Sequence, residues 1–205
     1  MNEYSFFLLL LRSMGLSEKS KLKKEAIVKA TIDLVNCNGF HGTPISKLAK
    51  LAGVSPGTIY LYFDNKQDLL NKVYLEAKRK FTSYAFANYN TKNSVEEEFK
   101  NVWFRIAEFK LNEIPETIFL AQCDNTPIID EEVRQEGIIH LSPLLDLWSR
   151  GKEQNIIKPI SDYLLYAYTI TPLSFLMVMH ARNAHLLTKE LLENTYESAW
   201  DSIKK

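Results

Sequence analysis

The segment 45–63 constrains the fold most, because two short helical patterns meet in it across a turn of only three residues. The first pattern places apolar residues at i, i+3, i+4 and i+7, namely Ile45, Leu48, Ala49 and Ala52. The turn is Gly53-Val54-Ser55, and so tight a turn needs a residue with positive φ, which glycine adopts without steric penalty. Val54 and Ile59 can fill the wedge between two helices that cross closely. This pattern predicts a helix-turn-helix, with an ordinary corner between two helices as the alternative.

The rest of the chain also has helical rather than strand periodicity. From Lys19 onward no segment alternates apolar and polar residues in a sustained way. Two helices are predicted to start at Thr43-Pro44 and Ser55-Pro56, because Thr43 can cap an N-terminus and proline suits the first helical position. Further helix starts are predicted at residues that can cap an N-terminus: Asp64 or Asn65, Ser94, Ser161 and Thr188. The last long helix but one is predicted from Ser161 to about His185. The sequence therefore predicts an all-α protein.

The segment Ala52–Leu70, AGVSPGTIYLYFDNKQDLL, resembles the signature of the TetR/AcrR family of repressors. The shared features are a Gly-Val-Ser turn, a short recognition helix, a Tyr-x-Tyr-Phe segment, and a Lys followed by Leu-Leu. The resemblance implies a three-helix DNA-binding domain at residues 17–64 and an effector-binding and dimerisation bundle at residues 65–205, with about nine helices in all. Residues 1–16 would be an N-terminal extension that can be disordered. Pro44 stands where the family often has Ser or Thr, so Thr43 can take over a phosphate contact there.

The chemistry of the residues after the turn also suits a DNA surface. The first turn of the recognition helix has only small side chains, which let it approach base edges and the thymine methyl group. Tyr60 and Tyr62 are expected to face outward, where a tyrosine hydroxyl can donate to phosphate. The predicted DNA contacts are Thr43, Ser46, Lys47, Ser55, Pro56, Gly57, Thr58, Tyr60, Tyr62 and Lys66. The alternative is that these are ordinary solvated side chains.

Charge is segregated along the sequence although the net charge is zero. Between Ser17 and Phe63 seven lysines stand against three acidic residues, so this segment carries +4 and the remainder −4. A local basic face steers a protein to phosphate, and a protein that binds nucleic acid need not be basic overall. The distribution favours DNA binding by the N-terminal part of the chain.

An apolar helix near the C-terminus predicts a subunit interface. Residues 163–179 are apolar nearly all round the helix, and a helix without a polar face is buried on all sides. We expect a partner subunit to cover one side in a two-fold, four-helix interface, with a fully buried monomer core as the alternative. The predicted interface residues are Tyr163, Ala167, Ile170, Ser174, Met177, Ala181, Leu192, Tyr196, Ala199 and Ile203.

Five large or polar residues on apolar segments are candidates for the wall of an effector pocket: Trp103, Phe119, Gln122, Trp148 and Tyr166. Pockets in helical domains use such walls together with a few polar groups. For each of these residues, plain core packing is the alternative. The expected ligand is a small hydrophobic or aromatic effector.

Motifs of enzymes and cofactor sites do not occur in the sequence. The histidines share no metal-ligand spacing, and there is no GxSxG, Walker-type loop, GxGxxG or CxxC. Cys37 and Cys123 show no redox spacing and favour a reduced, cytoplasmic protein. The apolar run at residues 6–11 is too short to span a bilayer. We therefore predict no catalytic residue, metal, cofactor or membrane association.

Three functions remain open at this point. The first is a homodimeric transcriptional repressor that a small-molecule effector releases from a palindromic double-stranded DNA operator. The second is a DNA-binding regulator that needs no ligand and is controlled by a protein partner. The third is a helical enzyme or lipid-binding module with an incidental corner motif.

Overall fold

The computed structural model describes residues 16–182 and 187–205. Within these ranges the secondary structure consists of eleven helices and no strand, which confirms the predicted all-α fold. The predicted N-terminal extension lies outside the described residues except for Leu16, and so does His185, the predicted end of one helix.

Three helices and the start of a fourth build the first of two compact units, which ends at Val73. They are α1 (Leu16–Asn38), α2 (Ile45–Ala52), α3 (Pro56–Tyr60) and α4 (Lys66–Ala85), and α4 continues into the second unit. α2 packs against both α1 and α3. The core includes Ile27, Val35, Leu48, Ile59, Phe63 and Leu69. Burying side chains of this size stabilises the unit by about 1.5–3 kcal/mol each.

The turn between α2 and α3 has the predicted backbone. Gly53 ends α2 with φ 68° and ψ 29°, in the left-handed region that glycine adopts without penalty. Ser55 caps α3, where its Oγ accepts a hydrogen bond from the Thr58 N–H at 3.1 Å, and Pro56 takes the first helical position. Together these features form the helix-turn-helix predicted from the sequence.

The start of α2 differs from the expectation that Thr43 caps it. Pro44 takes the capping position, and its carbonyl accepts hydrogen bonds from the N–H groups of Lys47 and Leu48 at 3.1 Å each. The Pro44 carbonyl thus accepts from the Lys47 N–H, one of the donors that a side-chain cap would otherwise satisfy. The Thr43 hydroxyl instead donates to the Gly39 carbonyl at 2.9 Å.

The second unit, from Tyr74 onward, contains the other seven helices. They are α5 (Val95–Asn112), α6 (Ile114–Asn125), α7 (Glu131–Ile139), α8 (Ser142–Glu153), α9 (Asp162–Thr169), α10 (Thr171–Arg182) and α11 (Lys189–Ile203). α5 packs against α6, α8, α10 and α11. The predicted caps Ser94, Ser161 and Thr188 each accept a backbone hydrogen bond at a helix start.

The helix predicted from Ser161 to about His185 is divided at Ile170 into α9 and α10. Pro172 explains the division, because proline lacks an N–H for the helical ladder and its ring clashes with the carbonyl four residues earlier. By length and composition alone, Asp162–Arg182 could cross a membrane, but it is two helices here, and 28% of its apolar window is buried in the unit. The buried residues are Leu165, Thr169, Ile170, Leu173 and Met177.

Aromatic side chains connect α5 to the C-terminal helix. The ring centroids of Phe99 and Trp200 are 5.4 Å apart, and those of Trp103 and Tyr196 are 5.6 Å apart. The Trp103 indole N–H donates to the Thr169 carbonyl at 2.9 Å, so it is satisfied within the subunit. Aromatic pairs of this kind add about 0.5–1.5 kcal/mol each beyond their burial.

Candidate functional site

The first turn of α3 presents small side chains on an exposed surface. Ser55, Pro56 and Gly57 are exposed, and Thr58 is partly exposed, whereas Ile59 beneath them is buried. A Cβ built on Gly57 would have only the Ser55 Oγ near it, at 3.9 Å. The surface above Gly57 is therefore open to a flat or convex partner.

Tyr60 and Tyr62, both of which were expected to face outward, have different environments. Tyr60 is 53% exposed, and within the described chain no protein group hydrogen-bonds its hydroxyl. The Tyr62 hydroxyl lies 2.9 Å from the Ser20 Oγ and donates to the Ser20 carbonyl at 3.2 Å. The proton of Tyr62 is thus used within the unit, whereas that of Tyr60 is available to a partner.

Lys66 begins α4 and is held against the loop after α1. Its Nζ donates to the Phe40 carbonyl at 2.7 Å and lies 4.2 Å from the centroid of the Phe40 ring. Partial burial lowers the pKa of Lys66 below its ordinary value. An ammonium has three N–H donors, so two remain for another acceptor.

Of the three candidates before the turn, two lie on the surface and one does not. Ser46 and Lys47 are exposed on α2. Thr43 is 2% exposed, and its hydroxyl proton is used by Gly39, so this conformation offers no hydroxyl to phosphate at that position. Sequence reasoning missed Leu61, which is 82% exposed directly after α3. Leu61 lies outside the apolar stripe that the buried residues of this segment form, and this position is the sequence signal that could have identified it.

The five candidate pocket residues differ in their burial. Trp103 and Phe119 are fully buried in the core, and Trp148 is 1% exposed. Gln122 and Tyr166 are half-buried. Burial and, secondly, the charge of Asp124 raise the pKa of Tyr166, so this phenol stays protonated. A groove of about 490 Å³ has other walls: Ala85, Asn88, Tyr89, Glu98, Lys100, Asn101, Val102, Phe104 and Arg105.

One of the candidate pocket residues has a polar atom that the subunit leaves without a partner. The Trp148 Nε1–H is buried, and no group in the described chain accepts a hydrogen bond from it. A buried donor without a partner costs about 1–3 kcal/mol, so native proteins rarely keep one without a reason. This position in the second unit is therefore suited to an acceptor from outside the subunit.

The predicted dimer residues divide into two groups. Five of them pack inside the subunit: Ile170, Met177, Tyr196, Ala199 and Ile203. Because the subunit itself covers these side chains, their burial does not require a partner, and their part in a dimer contact stays a prediction. Tyr163, Ala167 and Ala181 are exposed, and Ser174 and Leu192 are half-buried. The sequence reasoning missed three further exposed apolar residues on α9 and α10, namely Leu164, Tyr168 and Phe175.

A helix-turn-helix with an exposed recognition helix, followed along the chain by a larger all-helical unit, defines a DNA-binding transcriptional regulator. Residues 27–73 match the family described as "Bacterial regulatory proteins, tetR family". Residues 94–204, more than half of the chain, match "Tetracyclin repressor-like, C-terminal domain". The chain belongs to the TetR family of bacterial regulatory proteins.

Related sequences agree with this assignment. The chain is 25% identical over 189 residues to an uncharacterized HTH-type transcriptional regulator of Haemophilus influenzae, covering 88% of this chain and 95% of the relative. It is 41% identical to the fatty acid metabolism regulator protein of Bacillus subtilis, but over only 64 residues, 31% of this chain and 33% of the relative. These relatives are regulators, which confirms the prediction that the chain is not an enzyme.

Solved structures share the whole fold. A TetR family transcription regulator from Marinobacter aquaeolei is 23% identical and superposes with a TM-score of 0.85, covering 93% of this chain and all of that one. FadR from Bacillus subtilis, solved in complex with stearoyl-CoA, is 22% identical with a TM-score of 0.65, covering 86% of this chain and 95% of that one.

Proposed function

We propose that this regulator is a cytoplasmic, homodimeric repressor that a small hydrophobic effector releases from a palindromic operator. The open surface above Gly57 is the observation that carries the DNA-binding part of the proposal. It lies on the first turn of α3, where a helix-turn-helix recognition helix meets base edges. The exposed Tyr60, Ser46 and Lys47 and the two free donors of Lys66 would supply phosphate contacts, which position a protein without reading sequence.

Two observations support a ligand in the second unit. Among the described residues, none accepts a hydrogen bond from the buried Trp148 N–H. In addition, a protein of the same fold, FadR, was solved in complex with stearoyl-CoA. We expect the effector to have a large apolar part, because the buried residues of this unit, which include Trp103, Phe119 and Trp148, are mainly apolar.

The exposed apolar residues of α9 and α10 are the proposed dimer surface, which we define as Tyr163, Leu164, Ala167, Tyr168 and Phe175. Where such exposed apolar residues form one patch, the patch usually marks an interaction site in a soluble protein. The exposed side of α11 is charged instead, with Glu190, Glu193, Glu197 and Asp201 exposed. A second copy of the chain suits this surface, since a two-fold axis would place the same aromatic residues opposite each other.

A mobility-shift assay on the intergenic DNA beside the gene tests the proposal. We expect a shift with that DNA and not with a scrambled duplex of equal length, and we expect a hydrophobic ligand to abolish it. A specific shift that no ligand changes would favour a regulator controlled by a protein partner. No specific shift with any neighbouring DNA would contradict the operator assignment.

Tyr60→Phe is expected to weaken binding to operator and non-operator DNA alike, by about 1 kcal/mol, because it removes one neutral hydrogen bond to phosphate. Its melting temperature should not change, since the hydroxyl has no partner in the described chain. Tyr62→Phe is the matched control: it loses the bond to Ser20 and should lower stability while affecting DNA binding less. Fluorescence anisotropy and thermal melts measure both effects, and equal DNA effects of the two variants would contradict the assignment.

Lys66→Ala is expected to reduce the slope of log K against log salt by about one unit, because one phosphate contact and its released counterion are lost. The variant also loses the bond to Phe40, so its stability is measured in parallel. Lys72→Ala is the control, since the Lys72 ammonium is paired with Asp68 at 2.7 Å on the same helix. Anisotropy titrations over a range of salt concentrations give the slopes. An unchanged slope for Lys66→Ala would remove this residue from the interface.

A further inference from the structure

The second unit buries two lysines beside a single carboxylate. Lys78 is 6% exposed and donates to the Asp124 Oδ2 at 3.0 Å, and the Tyr74 hydroxyl donates to the Oδ1 at 3.2 Å. Lys110 on α5 is 8% exposed and is close enough to Lys78 and Asp124 for both charges to act on it. Within the described chain no group accepts a hydrogen bond from its Nζ. Its one defined contact is with the face of the Phe81 ring, 5.5 Å from the centroid.

Among residues 16–182 and 187–205, the charges around this cluster leave one positive charge without a counterpart. Asp124 is paired with Lys78 in direct contact. The Arg134 guanidinium is occupied by the carbonyls of Cys123, Asp124 and Thr126 and lies 3.5 Å from the Glu131 carboxylate. Lys110 is therefore the excess charge. Burying an ammonium without a partner is far costlier than burying a paired one.

The cost of burying this charge affects the pKa of Lys110. Burial and, secondly, repulsion from Lys78 lower the pKa of Lys110 from 10.5 to about 8. The titratable and charged groups near Lys110 or near Asp124 come from four helices. They are Lys78 and Tyr74 on α4, Asp124 and Cys123 on α6, Arg134 on α7 and Tyr166 on α9. Local arrangements that lower stability are expected at functional sites.

We propose that Lys110 binds the carboxylate of a monoanionic effector whose apolar body lies in the aromatic surroundings of Phe81 and Phe109. This proposal rests on the effector-responsive function proposed above and names the ligand class. A single negative charge balances the single excess positive charge, whereas a neutral ligand leaves it unpaired and a dianionic phosphate exceeds it. The cluster is not sealed, since the Asp124 side chain is 36% exposed.

The first test needs no ligand. Lys110→Met keeps the length of the side chain and removes the buried charge, so we expect a higher melting temperature below pH 8. In the wild type the unfolded chain binds the Lys110 proton more tightly than the folded chain does. The free energy of unfolding should therefore rise with pH between about 8 and 10.5. This rise should be absent from the variant. Lys80→Met is the control, because Lys80 is paired with Glu113 and Glu116 at 2.7 Å each. A melting temperature lowered by Lys110→Met would overturn the proposal, because Lys110 would then serve the fold.

The second test is calorimetric titration of the full-length protein with n-alkanoates from octanoate to stearate, and with n-alkanols of equal chain length. A hydrogen bond to a charged partner should make the alkanoate bind about tenfold or more tightly than the alkanol in the wild type. In Lys110→Met that preference should vanish while alkanol binding persists, and Lys80→Met should behave as the wild type. No binding of any alkanoate, equal binding of the two series, or a preference that survives Lys110→Met would each overturn the proposal. So would binding of stearoyl-CoA without binding of stearate.

Proton uptake supplies an independent readout. A carboxylate beside Lys110 should raise its pKa, so at pH 8 the protein should take up protons on binding, measured as a dependence of the heat on the buffer used. Zero uptake in the wild type would overturn the proposal.

Operator release by alkanoates is followed in parallel, so that failure of the Lys110 site can be distinguished from failure of the proposed effector-released function. If alkanoates bind through Lys110 but leave the operator complex unchanged, the effector-released function fails and the carboxylate site stands. If they release the operator equally from wild type and Lys110→Met, the site fails and the function stands.

Discussion

Gly57→Leu is expected to abolish specific operator binding while the protein stays folded. Gly57 is exposed on the first turn of α3, and its surroundings leave open space where a larger side chain would project. A leucine there would occupy the volume that a base edge must enter for direct readout. Specific binding should fall to the non-specific level, a loss of about a thousandfold or more.

The fold should tolerate this substitution for two reasons. Apart from residues 56–58 and the adjacent helix backbone, no described atom lies closer than 3.9 Å to a Cβ at position 57, and the backbone there is not in the left-handed region. Leucine also has a higher helix propensity than glycine, by about 0.5–1 kcal/mol, so the melting temperature should stay equal or rise. Anisotropy titrations with operator and scrambled duplexes, together with circular dichroism melts, separate the two effects. Gly57→Ala is the graded control and should lose less affinity, and wild-type operator affinity in Gly57→Leu would refute the docking of α3 in the groove.

The recognition element could be predicted from sequence because local interactions determine it. Gly53, Ser55 and Pro56 act within one helical turn of their own positions, through a left-handed backbone, a side-chain cap and a fixed φ. The structure places all three as predicted. The orientation of Thr43 was not predictable to the same degree. A shift of the helix start by one residue turns its hydroxyl from the expected cap toward Gly39.

Contacts between distant parts of the chain account for what the sequence did not reveal. Tyr62 differs from Tyr60 because Ser20, far earlier in the chain, takes up its hydroxyl proton. A lysine on a helix is normally expected to face the solvent. Lys78 is instead buried, and it is paired with Asp124 on another helix. Periodicity likewise identifies Ile170, Met177 and Tyr196 as apolar positions, but it cannot distinguish burial in the same subunit from burial against a partner.

The oligomeric state should be sensitive to a single side chain of the dimer surface. Phe175 is 62% exposed on α10, and Tyr168 and Leu164 are exposed on α9. Phe175→Asp would place a carboxylate in the apolar centre of the proposed interface, and two-fold symmetry would place it there twice. If each copy of the substitution removes about 2 kcal/mol of binding free energy from the interface, the dimer Kd rises by about a thousandfold.

Loss of the dimer should in turn weaken operator binding strongly, because a monomer places one recognition helix on one half-site whereas a palindrome is bound by two. We expect Phe175→Asp to sediment as a folded monomer at micromolar concentration and to bind a full operator no more tightly than a half-site. Ile139→Asp is the matched control: Ile139 is 69% exposed on α7, outside the dimer surface, so the same change should leave the dimer intact. Sedimentation equilibrium and anisotropy titrations measure both quantities. If Phe175→Asp dimerises with wild-type affinity, the second subunit must bind elsewhere, and the exposed aromatic residues of α9 and α10 need another partner.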